Sequence, residues 1–202
     1  MRCHEILNFM VFFKEKVGDI LAVETNLARV QQAYNFSQKA NLYFVLGRDQ
    51  NWANPSSPDS EDVNTTMIEN PLALVKVDRV LMCYPSEEAP ASTDGDTYVA
   101  YKGKRWDVVP YDEVFDSNGN PVHSDATYLC LDGTLGVQKL PMFEFTQVGL
   151  VDSPQLASNA TSTHEASATE VIDWGSLYFY ENRVKESYTD TMTKTIRYMI
   201  KF

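Results

Sequence analysis

The residue types that carry most enzyme chemistry are scattered along this chain of 202 residues. Its three histidines are His4, His123 and His164, and none has a second histidine or cysteine at the spacing of metal ligands. There is no Gly-x-Ser-x-Gly turn for a nucleophilic serine and no glycine-rich phosphate loop. The sequence does not exclude a pair of catalytic carboxylates, because the spacing of such a pair is set by the fold. The sequence therefore predicts no catalytic site, no cofactor and no metal.

One acidic segment has the composition of the start of a calcium-binding loop. Asp116 is followed by Ser117, Asn118, Gly119 and another asparagine. Such a loop ends in a glutamate, but a threonine stands at the required position, and the glycine is misplaced. The Asn-Gly pair is instead typical of a tight hairpin turn. We therefore predict a turn here.

Cysteine and tryptophan give weaker indications. Cys83 and Cys130 lie in apolar segments, and the odd total of three cysteines argues against a disulfide framework, so we expect buried free thiols. Trp52, Trp106 and Trp174 permit two interpretations. They form a platform for a sugar, or they are anchors in the core or in a protein interface, which we favour.

The charge of the chain excludes several classes of partner. A net charge of −11 opposes binding to nucleic acid and to anionic membranes, so we expect neither. The segment 183–202 differs, because it carries five basic and only two acidic residues. It is either a strand with charged outward positions or a docking edge for an acidic protein partner. The apolar run near the N-terminus is too short to span a bilayer.

Hydrophobic periodicity places helices first and strands afterwards. Apolar residues at helical spacing predict an amphipathic helix over 4–17. Thr25 can cap a second helix over 26–37, with Leu27, Val30 and Tyr34 on one face. The rest of the chain predicts strands at 42–46, 72–84, 97–102, 105–109, 127–132, 144–152, 176–181 and 193–202. We therefore predict a mainly β fold, an antiparallel β-sandwich with one or two N-terminal helices.

Three long segments separate the predicted strands. Residues 49–62 and 85–96 are acidic and contain proline, and residues 153–170 consist mainly of small polar residues and alanine. Loops of this length in a compact domain are often functional. They predict a protein that reaches toward neighbouring molecules.

Four short segments then point to a family. In chain order they are Asn41–Trp52 with its Gly47-Arg48 pair, Phe145–Pro154 with Gln147, Gly175–Arg183 with its Glu-Asn-Arg ending, and Thr195–Phe202 with its terminal Phe. Together they resemble segments of the baseplate wedge protein of contractile-tailed bacteriophages, called gene product eight in T-even phages. The resemblance covers residues 26–202.

The resemblance implies a fold and a function. It implies a β-sandwich wedge domain over 26–202, with an insertion reduced here to around 85–140, after a helical extension over 1–25. It also implies a homodimer in the virion, within the tail baseplate, that binds other wedge proteins around the tail hub. That protein takes part in the rearrangement that triggers sheath contraction and is not an enzyme. An alternative is a carbohydrate- or receptor-binding β-sandwich of a phage tail.

Residue type also suggests which side chains contact the neighbours. Arginine, tyrosine and tryptophan dominate the energetics of protein interfaces. We therefore predict an interface that includes Arg48, Trp52, Tyr178, Tyr180, Arg183, Lys185, Arg197 and Lys201.

Overall fold

A computed structural model of the chain describes residues 23–202. The helix predicted over 4–17 lies outside these residues. Within them, one α-helix, α1 (Asn26–Ser37), precedes the strands. The first six strands are β1 (Leu42–Gly47), β2 (Pro71–Lys76), β3 (Arg79–Pro85), β4 (Tyr98–Tyr101), β5 (Lys104–Val109) and β6 (Tyr128–Leu135). The last six are β7 (Phe143–Asp152), β8 (Gln155–Leu156), β9 (Glu165–Ser167), β10 (Val171–Asp173), β11 (Ser176–Tyr188) and β12 (Lys194–Lys201).

Two five-stranded antiparallel sheets form the predicted sandwich. The first sheet has the strand order β11-β7-β1-β2-β9, and the second has the order β12-β6-β3-β5-β4. Strands β8 and β10 pair separately as a small ribbon. The consecutive strands β11 and β12 are thus edge strands of different sheets.

The core lies between the two sheets, where side chains alternate as a half-buried strand requires. Leu42, Phe44 and Leu46 of β1 belong to the same buried cluster as Ile196 and Tyr198 of β12. The rings of Phe44 and Tyr198 meet edge to face at 5.3 Å. The strand predicted over 193–202 is therefore confirmed, and its alternate apolar side chains face the core.

Helix α1 closes one end of this core. The Thr25 side chain accepts a hydrogen bond from the backbone N–H of Ala28 at 3.2 Å, as predicted for an N-cap. Val30 and Ala33 are completely buried, whereas Leu27 is 44% exposed. The predicted helical face was therefore wrong at Leu27, because the buried stripe runs through positions 30 and 33.

The single strand predicted over 72–84 is wrong, because the chain there forms two strands in different sheets. Between them the backbone N–H of Val77 donates to the carbonyl of Leu42 at 3.0 Å. The next N–H, of Asp78, donates to the carbonyl of Asp132 in the second sheet at 2.8 Å. Apolar alternation continues across this crossover because both strands face the same core.

Additional segments cover the outer faces of both sheets. The β4–β5 hairpin, which is one edge of the second sheet, folds over the outer face of that sheet, where Val99, Cys83 and Cys130 are buried together. On the first sheet, Tyr43 and Val45 pack beside Trp174 and other side chains of the 153–174 segment. The predicted loop over 153–170 is therefore partly ordered by the short strands β8 and β9.

The predicted turn after Asp116 is confirmed. The Asp116 carboxylate accepts hydrogen bonds from the backbone N–H groups of Asn118 at 2.8 Å and Asn120 at 2.9 Å. Gly119 has a positive φ of 80°, which its missing Cβ allows. These bonds lower the pKa of Asp116. The Asp116 carboxylate thus stabilises the turn through hydrogen bonds to its backbone.

Candidate protein interface

Trp52 joins the acidic loop (residues 49–62) to strand β11. Its indole N–H donates to the carbonyl oxygen of Arg183 at 2.6 Å, and the side chain is only 5% exposed. The guanidinium of Arg48 lies over the indole ring, 4.0 Å from its centroid. Trp52 therefore acts as an anchor within the monomer.

Local backbone geometry explains the Gly47-Arg48 pair. A Cβ at Gly47 would lie 2.7 Å from the carbonyl oxygen of Glu69, so no side chain fits there. Arg48 follows in the left-handed region with φ of 52°. Its N–H donates to Glu69 O at 2.7 Å, and its carbonyl accepts from Thr146 N at 2.8 Å. This turn directs the Arg48 side chain toward Trp52 and into an ion pair with the Glu69 carboxylate.

Gln147 and Asn182 make the next connection. The Gln147 amide donates to the side-chain oxygen of Asn182 at 2.9 Å and accepts from the backbone N–H of Glu69 at 2.7 Å. Asn182 donates in turn from its side chain to Asp59 O at 2.9 Å. Its backbone N–H donates to the Glu61 carboxylate at 3.2 Å.

Three of the four resembling segments therefore meet at one place, which we name the motif cluster (Arg48, Trp52, Gln147, Asn182 and Arg183). The fourth segment approaches it through Tyr198, whose ring lies 5.4 Å from the Arg183 guanidinium. The cluster holds the acidic loop along β11, and the hydroxyl of Tyr180 binds the loop at Asp62 O, 3.1 Å away. The loop thus shields part of the edge of β11.

Arg183 is held by carboxylates of its own strand. Its guanidinium lies 3.1 Å from Glu181 and 3.3 Å from Glu186, and it donates to the carbonyl of Arg197 at 3.2 Å. Burial alone would lower the pKa of Arg183, but the two carboxylates raise it. Because the side chain is only 16% exposed, a charge reversal at Arg183 would disturb the fold as well as the surface.

Arg197 belongs to a four-charge network on the outer face of the second sheet. It pairs with Asp132 at 2.5 Å and with Asp94 at 2.8 Å, and Arg79 contacts the same two carboxylates. The Arg197 hydrogen bond is the main reason that the pKa of Asp94 is low. Arg197 also donates to the carbonyl of Ala100 at 2.9 Å. The network therefore ties the β4–β5 hairpin to β12.

The other predicted interface residues are more accessible. Tyr178 is 44% exposed, and its ring contacts the ring of Phe36 and the ammonium of Lys39. Lys185 forms an ion pair with Glu144 at 2.8 Å, and the exposed Lys201 lies 5.5 Å from the ring of Tyr128. Tyr178, Lys185 and Lys201 are thus the predicted residues best placed for contact with another molecule.

A cleft runs between β11 and β12, and we name it the β11–β12 cleft. The turn of the β4–β5 hairpin lies over it, where Lys102 Nζ is 3.2 Å from the Glu181 carboxylate. One side of the cleft has a volume of about 310 Å³ and is lined by Phe179, Tyr198 and Lys201. The other side, of about 630 Å³, reaches Lys185.

Sequence reasoning missed Tyr101 and Lys102 as cleft residues. The Lys102-Gly103 turn between two predicted strands was the available signal, and both turn residues have positive φ. Nothing in the local sequence indicates that this hairpin folds across its own sheet.

The possible reactive groups within residues 23–202 are metal-ligating side chains, the two buried cysteines and the carboxylates. No group of three or more histidine, cysteine or acidic side chains is placed to hold a metal within 23–202. Burial raises the pKa of Cys130 to about 12 and that of Cys83 further, which disfavours the nucleophilic thiolate. The pKa is lowered at five carboxyl groups of the described residues: Asp94, Asp116, Asp152, Glu170 and Glu186. An acid catalyst requires the opposite shift.

The tryptophans lie in three different surroundings. Trp52 is in the motif cluster, Trp106 packs near Cys83 and Val99, and Trp174 packs on the first sheet. They do not form a shared platform for a sugar. Within residues 23–202, no helix is long and apolar enough to cross a membrane.

Comparison with known proteins agrees with a role in the virion. The chain is 26% identical over 182 residues to "Virion protein 3" of Enterococcus phage phiEF24C, an alignment that covers 89% of this chain and 94% of the relative. A family described as "Baseplate wedge 3 tail fiber network component" matches residues 21–202. The resemblance to a baseplate wedge protein is thereby confirmed, and the chain belongs to this family of structural proteins in the tail baseplate of the phage virion.

Proposed function

We propose that this protein is a non-catalytic connector that holds wedge subunits together around the tail hub. It contacts other baseplate proteins through the face formed by β11, β12 and the tip of the β4–β5 hairpin. The observation that carries this proposal is the β11–β12 cleft, where two edge strands and accessible lysines lie side by side. Charged residues at the rim of an interface increase its association rate and specificity.

The same geometry supports a proposal about the domain organisation. We propose that residues 26–202 form the wedge domain and that its reduced insertion consists of the β4–β5 hairpin and the linker to β6. The hairpin forms an edge of the second sheet and reaches over its outer face to Arg197, whereas β6 pairs with β3 and β12 in the interior of that sheet. An insertion in this position supplies the turn that borders the cleft.

We also propose that the protein is a homodimer and that it takes part in the rearrangement that triggers sheath contraction. A subunit that must exchange contacts needs interfaces that are polar and of moderate size. The ion pairs of Lys102 with Glu181 and Lys185 with Glu144 are exposed enough to exchange partners. Light scattering on the purified chain measures the first claim. Cross-linking of particles before and after contraction measures the second.

The contact face is tested by charge reversal at a surface lysine. Lys185→Glu should reduce incorporation of the purified chain into baseplates assembled from the remaining components, while its unfolding curve shifts little. Lys139→Glu is the matched control, because Lys139 is exposed and lies beyond the opposite end of β12 from Lys201. Equal incorporation of the two variants would contradict the proposed face.

A further inference from the structure

Strand β12 has one free edge. It pairs with β6 over its whole length, from Lys194 to Lys201, and it is the last strand of its sheet. The backbone N–H of Phe202 points toward the β6 side, where it donates to Thr127 O at 2.9 Å. The carbonyl of Arg197 points the other way, since it accepts from the Arg183 side chain.

Main-chain groups in a strand alternate between its two edges. The bonds of Phe202 and Arg197 therefore assign Met199 and Lys201 to the free edge, together with Arg197. These N–H and C=O groups face the cleft between β12 and β11, which Met199 and Lys201 line. They are available to a further strand.

The remaining edges of the sandwich are less suited to an added strand. β9 has three residues, and β4 has four and is fastened over the second sheet. The edge of β11 is occupied at Asn182 by Glu61 and at Arg183 by Trp52. On the eight-residue β12 the Arg183 side chain uses the Arg197 carbonyl, and the free-edge groups of Met199 and Lys201 beyond it stay open among the described residues.

The surroundings of this edge indicate the chemistry of the added strand. Phe179 and Tyr101 line the cleft with apolar surface, and Lys102, Lys201 and Glu181 supply its charged groups. The Glu181 carboxylate pairs with Lys102, so Lys201 is the cation of this lining that has no carboxylate partner among the described residues, in contrast with the net charge of −11 of the whole chain. An extended segment with carboxylates would meet complementary charge here and repulsion over most of the remaining surface.

We propose that the free edge of β12 binds a short, extended, acidic segment of another baseplate protein by β-strand addition. Main-chain hydrogen bonds to Met199 and Lys201 hold the segment, and its carboxylates lie against Lys102 and Lys201. The inference rests on the proposed function, because it names the partner chemistry for the same face. It makes one half of the β11–β12 cleft a strand-binding slot.

Three substitutions at Lys201 distinguish the effect of main-chain hydrogen bonding from the effect of side-chain charge. Lys201→Pro removes a free-edge N–H, and an edge strand tolerates proline at such a position. Lys201→Ala keeps the N–H and removes the charge, whereas Lys201→Glu reverses the charge. We expect Lys201→Pro to enter reconstituted baseplates about tenfold less well than Lys201→Ala, because a main-chain bond is lost and the ring blocks the partner. Lys201→Glu should also enter less well than Lys201→Ala.

Folding of Lys201→Pro is checked by its unfolding transition and by the retained N–H bond of Phe202 in hydrogen exchange. Equal incorporation of folded Lys201→Pro and Lys201→Ala would overturn strand addition. Better incorporation of Lys201→Glu than of Lys201→Ala would overturn the acidic partner.

Hydrogen exchange at single-residue resolution, on the free chain and on purified baseplates, tests the same slot in the native protein. We expect the N–H groups of Met199 and Lys201 to become protected in baseplates. If β11 is protected and these two groups exchange as in the free chain, strand addition is overturned and the proposed face stands. If neither strand gains protection, the proposed function fails as well.

Discussion

The motif cluster and the β11–β12 cleft lie close together along β11, but their polar groups are used differently. In the motif cluster the indole N–H of Trp52 and the amide of Gln147 are bound within the chain. In the cleft, the outward backbone groups of Met199 and Lys201 belong to an edge strand that has no neighbouring strand on that side within residues 23–202. The segments that reveal the family thus stabilise the monomer, and the proposed contacts use residues beside them.

Removal of the Trp52 side chain should have the largest effect on the cluster. Trp52→Ala is expected to lower the free energy of unfolding by about 3–5 kcal/mol, because a buried indole and its hydrogen bond are lost together. Urea denaturation followed by circular dichroism measures the loss. Tyr178→Ala is the control on the surface side, with a smaller expected loss because Tyr178 is 44% exposed. Similar losses for both variants would remove the distinction between the two regions.

The network behind β12 should give the next largest effect. Asp132→Asn removes a buried carboxylate that pairs with both Arg79 and Arg197. The expected loss of stability is about 2–3 kcal/mol, since two guanidinium groups lose one of their two shared carboxylates and keep Asp94. Glu144→Gln breaks the exposed pair with Lys185 and should cost less than about 1 kcal/mol. A larger loss for Glu144→Gln than for Asp132→Asn would contradict the assignment of the network as structural.

The element pattern was largely predictable from sequence, and the assignment of strands to sheets was less so. The helix over Asn26–Ser37 and the alternation of Ile196, Tyr198 and Ile200 follow from local rules of capping and burial. The crossover at Val77-Asp78 was missed because alternation does not reveal which sheet a strand joins. It is set by contacts distant in sequence, such as Asp78 with Asp132.

The candidate interface shows the same limit. Residue type drew attention to Arg183 and Arg197, but it gave no sign of the carboxylates that hold them in the folded chain. Lys102 was missed because its hairpin has to fold over the sheet before the lysine reaches Glu181. The sequence shows which residues are charged, but only the fold shows which of them pair within the chain and which are available to a partner.

The smallest effect concerns pH at the opposite edge of the first sheet. His164 lies between Asp78, at 2.5 Å, and Glu165, at 3.2 Å. Burial alone would lower the pKa of His164, but the two carboxylates raise it above the ordinary value of 6.5. The charged histidine therefore stabilises the fold below pH 6.5, and this stabilisation is lost as pH rises through the raised pKa.

The measurement is the melting temperature of the wild type and of His164→Gln at a series of pH values below and above 6.5. The difference between them should be largest at acidic pH and shrink as pH rises. In the Asp78→Asn background, the same substitution should have a weaker pH dependence because one carboxylate partner is absent. A difference that grows with pH would show that the neutral histidine is the stabilising form.

Cross-linking mass spectrometry on intact virions tests the central claim most directly, because it reports which lysines of the assembled protein lie beside other baseplate proteins. The account predicts cross-links from Lys102, Lys185 and Lys201 to neighbouring proteins, with Lys139 carrying few or none. If Lys139 holds the links to other proteins and the three lysines of the β11–β12 face react only with water or with their own chain, the proposed face is contradicted.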